Sequence, residues 1–252
     1  MKRSSFFGFV LAGLVLQGAV SVLAQSSSAI NVVFIGDSIT AGAKITEKAA
    51  AEIKKLKPAS EVYFSNQGHG GATTLDFLPP ATKYFVQIPL EAQKLSASHP
   101  GQLVFPIMLG TNDSANKGPK GSPVAAGDYH DNLKKIIDQL LAEFPEARFV
   151  LHHPIWYSPN THNSSDYEGD PAANRLKSYF PALEALVKEY ATAKPGHVFL
   201  GDVEGYDYFA AHHKAELKEE NGKSGIFYLH PNEAGAQSLA RFWAAAIAKV
   251  VP

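Results

Sequence analysis

The stretch Asn31-Val32-Val33-Phe34-Ile35-Gly36-Asp37-Ser38-Ile39-Thr40 decides how the rest of the chain is read. A short apolar run of strand length stops at a glycine and passes into a polar turn, as a buried parallel strand does before its crossover helix. The same pattern recurs downstream. Val62 to Ser65, Leu103 to Leu109, Arg148 to Leu151 and His197 to Leu200 are short and apolar, and each ends in a polar or glycine-bearing turn. Helical patterns lie between them, around Glu47 to Leu56, Thr82 to Leu95, Asp128 to Phe144 and Ala172 to Tyr190, with a last one from Glu233 to Val250. In the third, Leu133, Ile136, Ile137, Leu140, Leu141 and Phe144 recur at three- and four-residue spacing, which marks a core-facing stripe. Alternation of this kind predicts an α/β fold: a three-layer α/β/α sandwich around a five-stranded parallel sheet.

Composition agrees with a folded, cysteine-free body. Of 252 residues 45% are hydrophobic, 23 Lys and Arg stand against 24 Asp and Glu, and Cys is absent. A formal net charge of -1 gives no field to attract nucleic acid or anionic lipid, so neither is expected as a partner. Lack of Cys excludes a thiolate nucleophile, a disulfide framework and a lipidated Cys anchor. Lys2 and Arg3 form a short basic start, Phe6 to Leu16 is apolar, and Val22-Leu23-Ala24 is a small-residue pattern of the kind signal peptidases cut after. Residues 1–24 are therefore expected to be a cleaved signal peptide rather than a membrane anchor. Residues 25–252 are expected to form one domain, exported to a periplasmic or extracellular location.

In an open parallel sheet the ligand cleft lies beyond the carboxyl ends of the strands. Gly36-Asp37-Ser38-Ile39-Thr40 follows the first strand, Asn66 to Thr74 the second, and Gly110-Thr111-Asn112-Asp113 the third. Taken alone, Ser38 reads as an ordinary helix N-cap, and the Gly68 to Gly71 turn as a loop needing positive φ. That turn lacks the Lys-Ser/Thr ending of a phosphate-binding loop. Together they read differently. Acyl transfer needs a nucleophile, a base and donors for a developing oxyanion. Ser38 can attack, while the amides of Ser38 and Gly71 and the carboxamide of Asn112 can donate. Of the 10 His, His230 stands out, because Pro231-Asn232-Glu233 marks a loop entering the final helix and presents its ring from a turn.

These blocks resemble those of the SGNH hydrolases, also called GDSL esterases. Gly36-Asp37-Ser38 looks like the first block, whose Ser is the nucleophile. Asn66 to Thr74 looks like the second, in which the glycine equivalent to Gly71 donates its N–H. Gly110-Thr111-Asn112-Asp113 is similar to the third, whose Asn completes the oxyanion hole, and His230-Pro231-Asn232 to the last, whose His is the base. The resemblance spans about residues 31–245 and implies a flavodoxin-like sandwich and ester hydrolysis without metal or organic cofactor.

One position departs from the family pattern. An Asp usually stands three residues before the base, and here Phe227 does. The main-chain carbonyl of Phe227 is the leading expectation for the group that accepts from the His230 Nδ1–H. Asp202, with Glu204 and Asp207 close behind, is the alternative, its ordinary reading being a helix cap. A degraded, non-catalytic glycan-binding module is the third.

After the fourth strand, His153, Trp156 and Tyr157 are candidates for substrate contact, with loop packing the competing reading for the two large aromatics. His152 and His153 have no evident metal-ligand set around them. Asp166, Glu168 and Asp170 read as a solvated loop before a calcium site. An exported enzyme with a polar cleft is expected to cleave short-chain acyl esters, foremost on O-acetylated carbohydrate. A lipid-directed lysophospholipase or lipase is the alternative.

Overall fold

A computed structural model describes Met1, residues 29–119 and residues 121–252. The expected signal peptide lies outside the described residues apart from Met1. Five strands, β1 (Ala29–Gly36), β2 (Val62–Gly68), β3 (Gly101–Met108), β4 (Arg148–Leu151) and β5 (Val198–Leu200), form a parallel sheet in the order β2-β1-β3-β4-β5. All eight residues of β1 are buried, because it lies inside the sheet with helices on both faces.

Period-two alternation along β1 divides the core. Val33 and Ile35 face one layer, with α3 (Gln87–Ser98), α4 (Ala126–Glu143) and α5 (Gly169–Ala193). Ile30, Val32 and Phe34 face the other, with α2 (Ile45–Leu56), α6 (Gly205–Glu216) and α7 (Glu233–Val250). Leu133, Ile136, Ile137, Leu140 and Leu141 of the predicted stripe are all buried, and Phe144 packs against them from the end of α4. The sandwich architecture is thus the expected one. Among the described residues no helix is long and apolar enough to cross a membrane.

Two local features differ from expectation. α3 begins at Gln87 rather than near Thr82. Pro89 then falls within the first turn, where its missing N–H costs no helical bond, instead of mid-helix. The segment after β5 holds α6 and an antiparallel hairpin of β6 (Leu217–Gly222) and β7 (Gly225–Pro231), which pair outside the main sheet. His230 therefore sits at the end of a strand rather than in a free turn.

The chain reverses direction across the sheet between β1 and β3, so the turns leaving these two strands open a crevice at their carboxyl ends. β2 adds its turn alongside, and close backbone approach holds the group together. His69 N–H donates to the Gly36 carbonyl at 3.0 Å. A Cβ on Gly68 would collide with the Ala41 nitrogen and the Thr40 carbonyl carbon of α1 (Ser38–Ala41). Gly68→Ala should therefore lower the unfolding free energy by about 1–3 kcal/mol, the range for overpacking a tight contact. Urea titration of the variant checks this, and unchanged stability would show that the two backbones can part without cost.

Candidate active site

α1 starts directly at the end of β1. Asp37 is its N-cap, and Asp37 Oδ1 accepts from the Ile39 N–H at 2.9 Å. With Asp37 serving as the cap, the neighbouring Ser38 hydroxyl is released from that role. Ser38 Oγ lies 2.9 Å from His230 Nε2, across 192 positions of sequence. The other ring nitrogen, Nδ1, faces the Glu220 carboxylate at 2.9 Å and 3.0 Å, and the same carboxylate accepts from the His230 main-chain N–H at 3.1 Å.

The expectations for the His230 partner are corrected by this geometry. Glu220 occupies the place assigned to the Phe227 carbonyl. Phe227 lies opposite Glu220 in the hairpin register with its ring buried, so the acid reaches His230 from the adjoining strand. Nor is Asp202 the partner. Its Oδ1 accepts from the N–H groups of Glu204 and Gly205, at 2.9 Å and 3.1 Å, and caps the entry to α6. Burial pushes the Asp202 carboxyl up to about 6. Burial also acts to raise Glu220, but its hydrogen bonds to His230 outweigh that and hold it below the ordinary Glu range, as a carboxylate.

The hairpin that carries both groups is fastened to the loop after β4. Ser158 N–H donates to the Tyr228 carbonyl at 2.9 Å, Tyr228 N–H to Ser158 Oγ at 2.8 Å, and Lys223 N–H to the His162 carbonyl at 2.8 Å. Asn232 closes the segment by capping α7, its Oδ1 accepting from the Ala234 and Gly235 N–H groups.

Gly71 and Asn112 line one cavity of about 200 Å³ together with Ser38 and His230. Gly71 has φ 73°, a left-handed conformation that suits glycine and turns the chain tightly beside Ser38. Asn112 Nδ2 donates to the Ala72 carbonyl at 2.9 Å, and this carboxamide keeps a second N–H for the cavity. Ser38, Gly71, Asn112 and His230 are thus brought together as the four blocks predict. A second cavity of about 260 Å³ adjoins Ser38 and His230 between Ile39, Ala43, Ile45 and Pro231. On the Gly71 side an open groove of about 410 Å³ continues past Asp76, Tyr84 and Ser164.

The candidates for substrate contact lie elsewhere. The two cavities described beside Ser38 are lined by none of His153, Trp156 and Tyr157. His153 is buried and stacks on Phe180 at 4.3 Å, while Trp156 packs on His213 at 4.9 Å. Tyr157 is buried with its hydroxyl 2.9 Å from Ser114 Oγ. These rings pack the loop onto the body because their apolar area is worth more when covered. His152 is likewise internal. Its Nδ1 accepts from the Asp202 N–H at 2.9 Å, and burial pushes its ring down to about 3.

Of the acidic loop residues, Asp166 and Glu168 gather with His162 so that their ligand atoms lie within 4.8 Å of one another. Asp166 Oδ1 accepts from the Glu168 N–H at 2.8 Å, and Glu168 is engaged by Ser224 and His162, so these groups organise the loop.

A serine hydroxyl against an imidazole with a carboxylate behind it, with Gly71 and Asn112 on the same cavity at the carboxyl ends of a doubly wound sheet, is an arrangement that can carry out serine hydrolase chemistry. The GDSL-like lipase/acylhydrolase family profile matches residues 34–237, and the chain belongs to that family and is an esterase of the SGNH superfamily. Among curated proteins no relative matches.

Solved structures share the fold at low identity. LAE5, an α/β hydrolase from the metagenome of Lake Arreo, Spain, is 20% identical with a TM-score of 0.58, over 90% of this chain and 98% of its own. Axe2, an acetylxylan esterase from Geobacillus stearothermophilus, is 19% identical with a TM-score of 0.56, over 88% and 95%. Est24, a carbohydrate acetylesterase from Sinorhizobium meliloti, is 17% identical with a TM-score of 0.55, over 87% and 99%.

Beneath the site Asp113 is fully buried. Its Oδ1 accepts from the Thr74 N–H and Oγ1, at 2.9 Å and 2.5 Å, and burial pushes its carboxyl from 3.8 up to about 7. The folded chain therefore holds this proton where the unfolded chain has lost it, so the contribution of Asp113 to stability declines as pH rises through that interval. Asp113→Asn keeps an oxygen for Thr74 and carries no charge. Its unfolding free energy, followed by urea titration, should gain on the wild type as pH is raised from about 4 to 8. A difference independent of pH would contradict this.

Proposed function

We propose that the protein is an exported serine esterase that removes short acyl groups, foremost acetyl, from carbohydrate. The relay from Ser38 Oγ through the His230 ring to the Glu220 carboxylate carries this reading. His230 Nε2 takes the Ser38 proton as Oγ attacks the ester carbonyl, and Glu220 accepts from Nδ1–H, fixing the tautomer and stabilising the imidazolium. The oxyanion is received by the N–H groups of Ser38 and Gly71 and by the Asn112 carboxamide. His230 returns the proton to the departing alcohol, and water frees the acyl group from Ser38 by the same relay.

The substrate class rests on the surroundings of Ser38. A cavity of about 260 Å³ beside it suits a short acyl group. The groove on the Gly71 side offers the Asp76 carboxylate, the Tyr84 ring and the Ser164 hydroxyl, chemistry suited to a polyol. Axe2 and Est24, which share the fold, are named an acetylxylan esterase and a carbohydrate acetylesterase. Export rests on the Lys2-Arg3 start, the Phe6 to Leu16 run and the Val22-Leu23-Ala24 ending.

Acetate release across a panel of acetylated polysaccharides tests the substrate, with long-chain phospholipid micelles as the competing arm. Preference for the micelles would overturn the carbohydrate reading. Ser38→Ala should abolish turnover of nitrophenyl acetate, and Asn112→Ala should cost about 10²–10³ in kcat. Glu220→Gln should lower kcat by up to about 10⁴, the loss seen when a triad acid becomes an amide, while Asp202→Asn leaves it within a few fold. Equal effects at positions 220 and 202 would remove Glu220 from the relay.

A further inference from the structure

The Asn112 carboxamide works only if its nitrogen, and not its oxygen, faces the oxyanion. Two contacts decide that orientation. Nδ2 donates to the Ala72 carbonyl at 2.9 Å, and Oδ1 accepts from the Tyr167 hydroxyl at 2.7 Å. Rotating the amide by half a turn would set Oδ1 against the Ala72 carbonyl, two acceptors at hydrogen-bond distance, and would spoil the short bond from Tyr167. Tyr167 borders the same cavity as Ser38, yet it is buried. Burial pushes its hydroxyl well above the ordinary Tyr range, which keeps it a donor.

The backbone around Tyr167 is strapped to the turn that carries Asn112. Asn116 N–H donates to the Asp166 carbonyl at 2.7 Å, Asp166 N–H to the Lys117 carbonyl at 2.7 Å, and Asn116 Nδ2 to the Glu168 carbonyl at 2.8 Å. Tyr167 N–H donates in turn to the Thr161 carbonyl at 3.0 Å. The hydroxyl is thus presented from a fixed frame rather than from a free loop tip.

We infer that Tyr167 is a positioning residue of the esterase, holding the Asn112 side chain in the one orientation that donates to the oxyanion. The inference rests on the proposed acyl transfer at Ser38. Asn112 contributes most where charge develops, so loss of its support acts on the transition state more than on the bound ester.

A double-mutant cycle on nitrophenyl acetate separates positioning from loop stability. Tyr167→Phe keeps the ring and deletes the hydroxyl. It should lower kcat about 3- to 10-fold, the equivalent of one neutral hydrogen bond, with KM within about twofold. In an Asn112→Ala background the same change should have no further effect on kcat. Tyr157→Phe, which removes the hydroxyl contact to Ser114 without touching Asn112, should leave kcat unchanged. Full kcat in Tyr167→Phe, an equal loss in both backgrounds, or a matching loss in Tyr157→Phe would each overturn the inference. If Asn112→Ala itself proved silent, the oxyanion assignment would fall together with it. A costly Asn112→Ala with a silent Tyr167→Phe would sink the inference alone.

Discussion

A single contact of 2.9 Å between Ser38 Oγ and His230 Nε2 ties the first strand of the sheet to the last strand of the chain. Neither residue is placed by its neighbours in sequence alone. Ser38 is held because β1 ends at a glycine and Asp37 takes over the capping of α1. His230 is held because β7 pairs with β6, the pair is bonded to the loop after β4, and Asn232 fixes the start of α7 just beyond. The remaining chemistry is arranged around that distance, since an imidazole displaced by about 1 Å loses much of its value as a base.

What could be read in the sequence was whatever is local. Ser38, Gly71, Asn112 and His230 sit in short blocks whose turn chemistry is visible residue by residue, and the fold brings all four to one cavity. Strand and helix periodicity also predicted the sheet and its two helical layers, because central parallel strands are apolar on both faces. Glu220 was missed because its role depends on cross-strand register, which places it opposite Phe227 and within reach of His230. A signal did exist. Gly222 and Gly225 bracket Lys223-Ser224, and a two-residue turn there, followed by the strand-like Ile226-Phe227-Tyr228-Leu229, sets Glu220 against Phe227.

The misplaced residues share a different cause. Trp156 and Tyr157 follow a strand end, so they share an address with the cleft, but position along the chain does not say which way a side chain turns. Burial decided it. Tyr157 is covered and bonded to Ser114, and the loop's contribution to the site comes instead from Tyr167, ten residues later, through Asn112. Asp202 was drawn to the cleft by the same argument, whereas unpaired amides at the start of α6 claim its carboxylate.

Stoichiometric reaction with a nitrophenyl phosphonate ester, followed by mass spectrometry of the digested protein, tests the central contact most directly. Such a reagent reacts far faster with a serine that a neighbouring base has activated than with an ordinary hydroxyl. The account predicts one nitrophenolate released per chain and the whole label on the peptide that carries Ser38, with the reaction lost in His230→Ala. An unlabelled chain, or a label spread over other hydroxyls at the same rate in His230→Ala, would contradict it.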